Sequence, residues 1–121
     1  MYLLININMK YEHNTDLDKC FGALADPIRR TIIKRLARGD AHVGEIVEMF
    51  DVSAPAISRH LKVLEEAGLI EREVDAQFRR LRFRREGFGL PLEWFEDMGD
   101  FWRASLDRLE QHLEKEEKPH D

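Results

Sequence analysis

The sequence predicts a mainly α-helical protein carrying one small β-hairpin, in the element order α-α-α-α-β-β-α. Three observations predict it. Apolar residues recur at helical spacing in four stretches between Thr15 and Leu64, strict two-residue alternation is confined to Ile70–Phe83, and helical spacing returns from Pro91 to about Lys115. At 121 residues the chain is long enough for one core but not for two.

Residues 1–14 have no helical period and read as a flexible N-terminal arm. Thr15 then caps a first helix to about Ala25, with Leu17, Cys20, Phe21 and Leu24 at helical spacing. Asp26-Pro27 restarts the chain: Asp is a good cap, and proline in the first turn loses no hydrogen bond. Ile28, Ile32, Ile33 and Leu36 give this second helix a core face to about Arg38, and Gly39-Asp40 turns the chain. A short third helix, about Val43 to Phe50, offers Val43, Ile46, Val47 and Phe50 to the core.

Asp51-Val52 is a tight link, so the third and fourth helices form a helix-turn-helix. Ser53 caps the fourth helix, Pro55 sits in its first turn, and Gly68 ends it. At 100° per residue Ile57, Leu61 and Leu64 share one face, while Pro55, Ser58, Arg59 and Lys62 share the other. The first face packs. The second carries small residues near the N-terminus and cations beyond them, a pattern suited to approaching a phosphate backbone and entering a major groove.

The hairpin follows at once. Ile70, Arg72 and Val74 alternate with Glu71 and Glu73, Asp75-Ala76 is expected to turn the chain, and Leu81 and Phe83 alternate with Arg80, Arg82 and Arg84. Five of the seven residues from Arg79 to Arg85 are arginine, and the alternation sets three of them on the solvent face as a stripe suited to phosphates. Such a hairpin beside a reading helix is a wing, and the whole is a winged helix-turn-helix. Gly87 and Gly89 then break the chain before the final helix. That helix carries a broad stripe of Trp94, Phe95, Met98, Phe101, Trp102, Leu106, Leu109 and Leu113, too apolar to be left in water. A domain this small cannot bury all of it, so a partner surface is implied. Residues 15–115 thus form one DNA-binding and dimerisation domain, with a frayed tail over 116–121.

Net charge is −5, which is unexpected for a nucleic-acid binder until its distribution is read. Residues 53–85 carry eight Lys and Arg against five Asp and Glu, whereas residues 86–121 carry four against eleven. Screening over about 8 Å lets the local basic face govern contacts with DNA. No apolar run approaches the roughly 20 residues that span a bilayer, and the N-terminus lacks a secretory pattern, which points to the cytoplasm and away from membrane partners.

Two segments resemble the ArsR family of bacterial regulators: ALADPIRRTIIKRLARGDAHVGEI, Ala23–Ile46, and VSAPAISRHLKVLEEAGLIERE, Val52–Glu73, followed by the arginine-rich strand. With the flanking helices the resemblance covers about Thr15 to Leu113. It implies a homodimer built on the first and last helices, with two recognition helices in successive major grooves of a near-palindromic operator in double-stranded DNA. Carried over by position, Ser53, Pro55, Ala56, Ser58, Arg59, His60 and Lys62 occupy the recognition helix. Arg79, Arg80, Arg82 and Arg84 occupy the wing, and the dimer interface takes Leu17, Phe21, Trp94, Met98, Phe101, Trp102, Leu106 and Leu109. Arg59 is the stronger candidate for a base contact, because its fork addresses guanine or phosphate. His60 lies at the edge of the apolar face, where it either borders the core or reads a base.

Many members that this chain resembles sense metals through a C-x-C pair on the third helix. Here His42-Val43-Gly44 stands in that place. Asp97-Met98-Gly99 lacks the histidine of the final-helix site, and His112 stands beside Glu116 alone. A zinc site wants about four clustered ligands, so no metal and no cofactor is expected, and His13, His42, His112 and His120 read as surface residues. Cys20 is the only cysteine, which excludes an intramolecular disulfide and suits a buried apolar position. No nucleophile, base and orienting group stand together and no phosphate loop is present, so an enzyme is not expected. The leading reading is a sequence-specific DNA-binding transcriptional regulator, a dimeric repressor. The alternative is a protein-interaction winged-helix module using the C-terminal aromatic helix.

Overall fold

The computed structural model describes residues 15–117; the arm expected over 1–14, the end of the tail, His13 and His120 lie outside them. The helices are α1 (Thr15–Leu24), α2 (Pro27–Leu36), α3 (Val43–Glu48), α4 (Ala54–Glu66) and α5 (Gly89–Glu117). The strands are β1 (Ala41–His42), β2 (Ile70–Asp75) and β3 (Phe78–Phe83), and a 3-10 turn at Arg85–Phe88 precedes α5. Packing separates the chain into a unit ending at Pro91 and a second unit from Leu92 onward.

The helix starts form where their caps predict. Asp26 Oδ2 accepts the Arg29 amide at 3.1 Å, and Ser53 Oγ accepts the Ala56 amide at 3.2 Å. Each satisfies one of the donors a helix start leaves open, which stabilises by about 1 kcal/mol. The end of α4 is a Schellman motif. The Gly68 amide reaches the Glu65 carbonyl at 2.9 Å and the Leu69 amide reaches the Leu64 carbonyl at 3.1 Å, with Gly68 at φ +75°. Leu64 and Leu69, the apolar pair that such a motif brings together, are both fully buried.

Ile32 and Leu36 of α2, Ile46 of α3, Ile57, Leu61 and Leu64 of α4, Ile70 of β2 and Leu81 of β3 form one core cluster. Cys20 and Ala23 bring α1 into it. The Cys20 thiol lies 3.6 Å from the carbonyl oxygens of both Ala67 and Gly87, and burial, with the nearby Asp16 charge, pushes its pKa up. The thiol is therefore held as a protonated donor. Next to it, a Cβ built on Gly87 would lie 1.9 Å from the Gly68 carbonyl oxygen, so only glycine allows the 3-10 turn to close on the end of α4.

The sheet corrects the sequence reading in two respects. It has three strands rather than two, in the order β1-β3-β2, because Ala41 and His42 pair with Leu81 and Arg80 of β3. Asp75 also belongs to the ladder, opposite Phe78, so the turn falls on Ala76-Gln77 instead of Asp75-Ala76. Ala76 takes φ +54°, a left-handed conformation that costs a residue with a Cβ about 1 kcal/mol.

Within α5, Leu92, Phe95, Trp102, Leu106, Leu109 and Leu113 are exposed, whereas Trp94, Met98 and Phe101 are half-buried. With Gly99, the exposed set repeats at alternating intervals of three and four residues through three heptads, the spacing of a coiled-coil seam.

Candidate nucleic-acid interface

The reading helix presents the face expected of it. Ile57, Leu61 and Leu64 are fully buried, and Pro55, Ser58, Arg59 and Lys62 are exposed on the opposite side. Neither Arg59 nor Lys62 has an ion-pair partner among the described residues, so both charges remain available to a ligand. Ser53 is exposed but spends its oxygen on the cap, and Ala56 is half-buried beneath it. A shallow groove lined by Ser58, Arg59, Lys62, Glu65 and Arg72 runs from the helix to the wing. Arg72 Nε donates to Glu65 Oε1 at 2.9 Å, half-buried, and fixes β2 to the reading helix.

The wing arginines are less available than their number suggests. Alternation with buried Ile70 and Leu81 puts Glu71 and Glu73 of β2 on the same outer face as Arg80, Arg82 and Arg84. Arg80 reaches Glu73 at 2.8 Å and Asp40 at 3.5 Å, and Arg82 lies 3.9 Å from Glu73. Arg84 lies 3.3 Å from Glu71 and donates to the Gly68 carbonyl at 3.2 Å. Three cations thus face three carboxylates. Arg79 sits on the other sheet face, opposite Val74, near the tip; it is exposed, with no ion pair among the described residues. Exposed Val74 and Phe78 show that this end of the hairpin extends past the core.

His60 faces inward. Its Nδ1 lies 3.0 Å from Arg29 Nη1 and 3.9 Å from Asp26 Oδ2. Asp26 is held below the usual carboxylate range, first by the Arg29 amide that it accepts and then, against the opposing effect of burial, by the charge of Arg29. Arg29 and the Arg72–Glu65 pair were not among the residues singled out from sequence. Arg29 stands in the D-P-x-R-R helix start, but nothing local indicates its partner.

Of the α1 residues assigned to a dimer face, Leu17 is buried and Phe21 is half-buried. No three His, Cys, Asp or Glu side chains converge on a metal-sized space among the described residues. His42 packs its ring on Phe78 at 5.2 Å, and His112 pairs with Glu116 at 3.1 Å.

Residues 26–72, from the cap of α2 into β2, match the model of the arsR family of bacterial regulatory proteins. A crystal structure of an ArsR family transcriptional regulator superposes with a TM-score of 0.69 at 33% identity, over 73% of this chain and 97% of that one. The chain belongs to the ArsR family. Among its ArsR-type relatives, the HTH-type transcriptional regulator Rv2034 of Mycobacterium tuberculosis is 51% identical over 53 residues, which are 44% of this chain and half the length of that regulator. The transcriptional repressor SdpR of Bacillus subtilis is 40% identical over 62 residues, 51% of this chain and 69% of the repressor. Both relatives are named as transcriptional regulators. Among the described residues no helix is long and apolar enough to cross a membrane.

Proposed function

We propose that this ArsR-family chain is a sequence-specific DNA-binding transcriptional repressor that acts as a homodimer on a near-palindromic operator, occluding a promoter in the cytoplasm. The observation that carries the reading is the α4 face: a helix start capped by Ser53, then Arg59 and Lys62 exposed without ion-pair partners. Backbone amides at that helix start and the two cations attract phosphates, and Arg59 has the donor geometry to read guanine. Arg79 at the hairpin tip adds a phosphate contact, while Arg80, Arg82 and Arg84 are held in reserve by their carboxylates.

The exposed seam of α5 supports the dimer, because a three-four repeat suits a second copy of the same helix. A symmetric pair then presents two reading helices, which is what a near-palindrome requires. That same use of the seam removes the main support for a protein-interaction module. No resident metal or cofactor enters the proposal: His42 is engaged with Phe78 and His112 with Glu116. The test is selection from a random duplex library. The proposal expects a recovered near-palindrome, bound by two chains, whose discrimination from scrambled DNA is lost in Arg59→Ala; enrichment of no sequence contradicts it.

A further inference from the structure

One side chain joins three segments around the reading helix. Arg29 Nε donates to the Ala23 carbonyl at 2.7 Å, Nη2 to the Gly22 carbonyl at 3.2 Å, and Nη1 lies 3.0 Å from His60 Nδ1. Its own amide is held by the Asp26 cap. The last turn of α1, the start of α2 and the middle of α4 therefore meet on a single planar fork. From this geometry we propose that Arg29 is a positioning residue for DNA reading, setting the seat of α4 against α1 through His60. The inference rests on the DNA-binding function proposed above.

The chemistry assigns the state of His60. A guanidinium has only donors and does not give up a proton, so an imidazole nitrogen 3.0 Å away must be the acceptor. Nδ1 therefore carries the lone pair, the ring is neutral, and its proton sits on Nε2. His60 accordingly serves the inside of the protein through Nδ1 and does not act as a cation toward phosphate. The fork also donates to the Ala23 carbonyl at the end of α1 and adds a second donor to the Gly22 carbonyl, which already accepts the Ala25 amide at 3.2 Å. The consequence is rigidity between α1 and the helix that reads. In a symmetric dimer an error in the seat of α4 is repeated in both copies, so a half-site spacing set by geometry is doubly sensitive to it. Phosphate contacts from Lys62 and Arg79 tolerate such an error far better, because they do not depend on base register.

The experiment uses the full chain, the duplex recovered by selection with the unmutated protein, and a scrambled duplex of the same composition. Arg29→Met should lower affinity for the selected duplex by about tenfold or more while changing the scrambled duplex by less than about twofold. Arg29→Lys, with one point of donation in place of three, should fall between. His60→Asn places a carbonyl oxygen where Nδ1 stood and should keep most discrimination; His60→Leu should not. Independently of DNA, nitrogen-15 resonances of the His60 ring should report the Nε2–H tautomer in the unmutated protein and lose that preference in Arg29→Met. A selecting wild type whose Arg29→Met variant keeps its discrimination, or loses both duplexes equally, overturns the proposal alone, as does an Nδ1–H ring or an imidazolium at neutral pH. A wild type that enriches no sequence overturns the DNA-binding function and this inference with it.

Discussion

Replacing Lys62 and Arg80 one at a time with alanine separates a free cation from a neutralised one. Lys62 is exposed on the outer face of α4 without an ion-pair partner among the described residues, whereas Arg80 is bonded to Glu73 at 2.8 Å and lies 3.5 Å from Asp40. A free cation that meets a phosphate contributes about 0.9 to the slope of log affinity against log salt. In a dimer Lys62→Ala should thus lower the slope by about 1.8, because two contacts vanish. Between 50 and 200 mM salt, a fourfold change, that is a difference of about 12-fold in how far affinity falls. Arg80 must first leave its carboxylates, and any phosphate that it meets stands beside them, so Arg80→Ala should change the slope by well under 1. Glu73→Gln should act in the opposite direction, releasing Arg80 and Arg82 and steepening the slope. The assay is fluorescence anisotropy of a labelled duplex titrated at several salt concentrations. Equal slope losses for Lys62→Ala and Arg80→Ala would refute the reasoning and return the wing arginines to the free stripe that the sequence suggests.

Three further outcomes are expected. Gly87→Ala drives a methyl to 1.9 Å from the Gly68 carbonyl oxygen, which should cost about 3 kcal/mol and lower the melting temperature by about 10–20 °C, while Gly44→Ala, with open space around it, should stabilise slightly; thermal melts of the pair with equal temperatures would contradict the packing. Asp26→Ala should cost about 1 kcal/mol near neutral pH. Because the folded pKa of Asp26 is lowered, that contribution is present above the ordinary carboxylate value of about 3.9 and lost as pH falls through the depressed one, so urea melts should show the gap closing at strongly acid pH; a gap independent of pH would mean that the ionised carboxylate is not its source. Leu106→Glu places a charge in the exposed seam of α5 and should shift the light-scattering mass from two chains toward one, whereas an unchanged dimer would put the interface elsewhere.

The parts of the fold that were legible in the sequence are those set by local chemistry. Asp26-Pro27, Ser53 with Pro55, and Gly68 fix helix ends through caps that need no distant partner, and the helices begin and end there within a residue or two. β1 was not legible, because two residues have no period and Ala41-His42 becomes a strand only through pairing with β3. The turn was displaced by one position because Asp75 is as good a turn former as its neighbours, and only the ladder places it in a strand. The neutralised wing was nearly visible. With a two-residue turn at either position, Glu71 and Glu73 share a face with Arg80, Arg82 and Arg84, so the arginine count alone overstated the free charge. The Arg29–His60 contact joins residues 31 apart and depends on how α1, α2 and α4 pack, which no periodicity encodes.

The most direct test of the account is the affinity of the full chain for its selected duplex against a scrambled duplex of equal length and composition, with stoichiometry measured by sedimentation at moderate salt. The account predicts selective binding by two chains per duplex. Equal affinity for both duplexes, or saturation by a single chain, would contradict it.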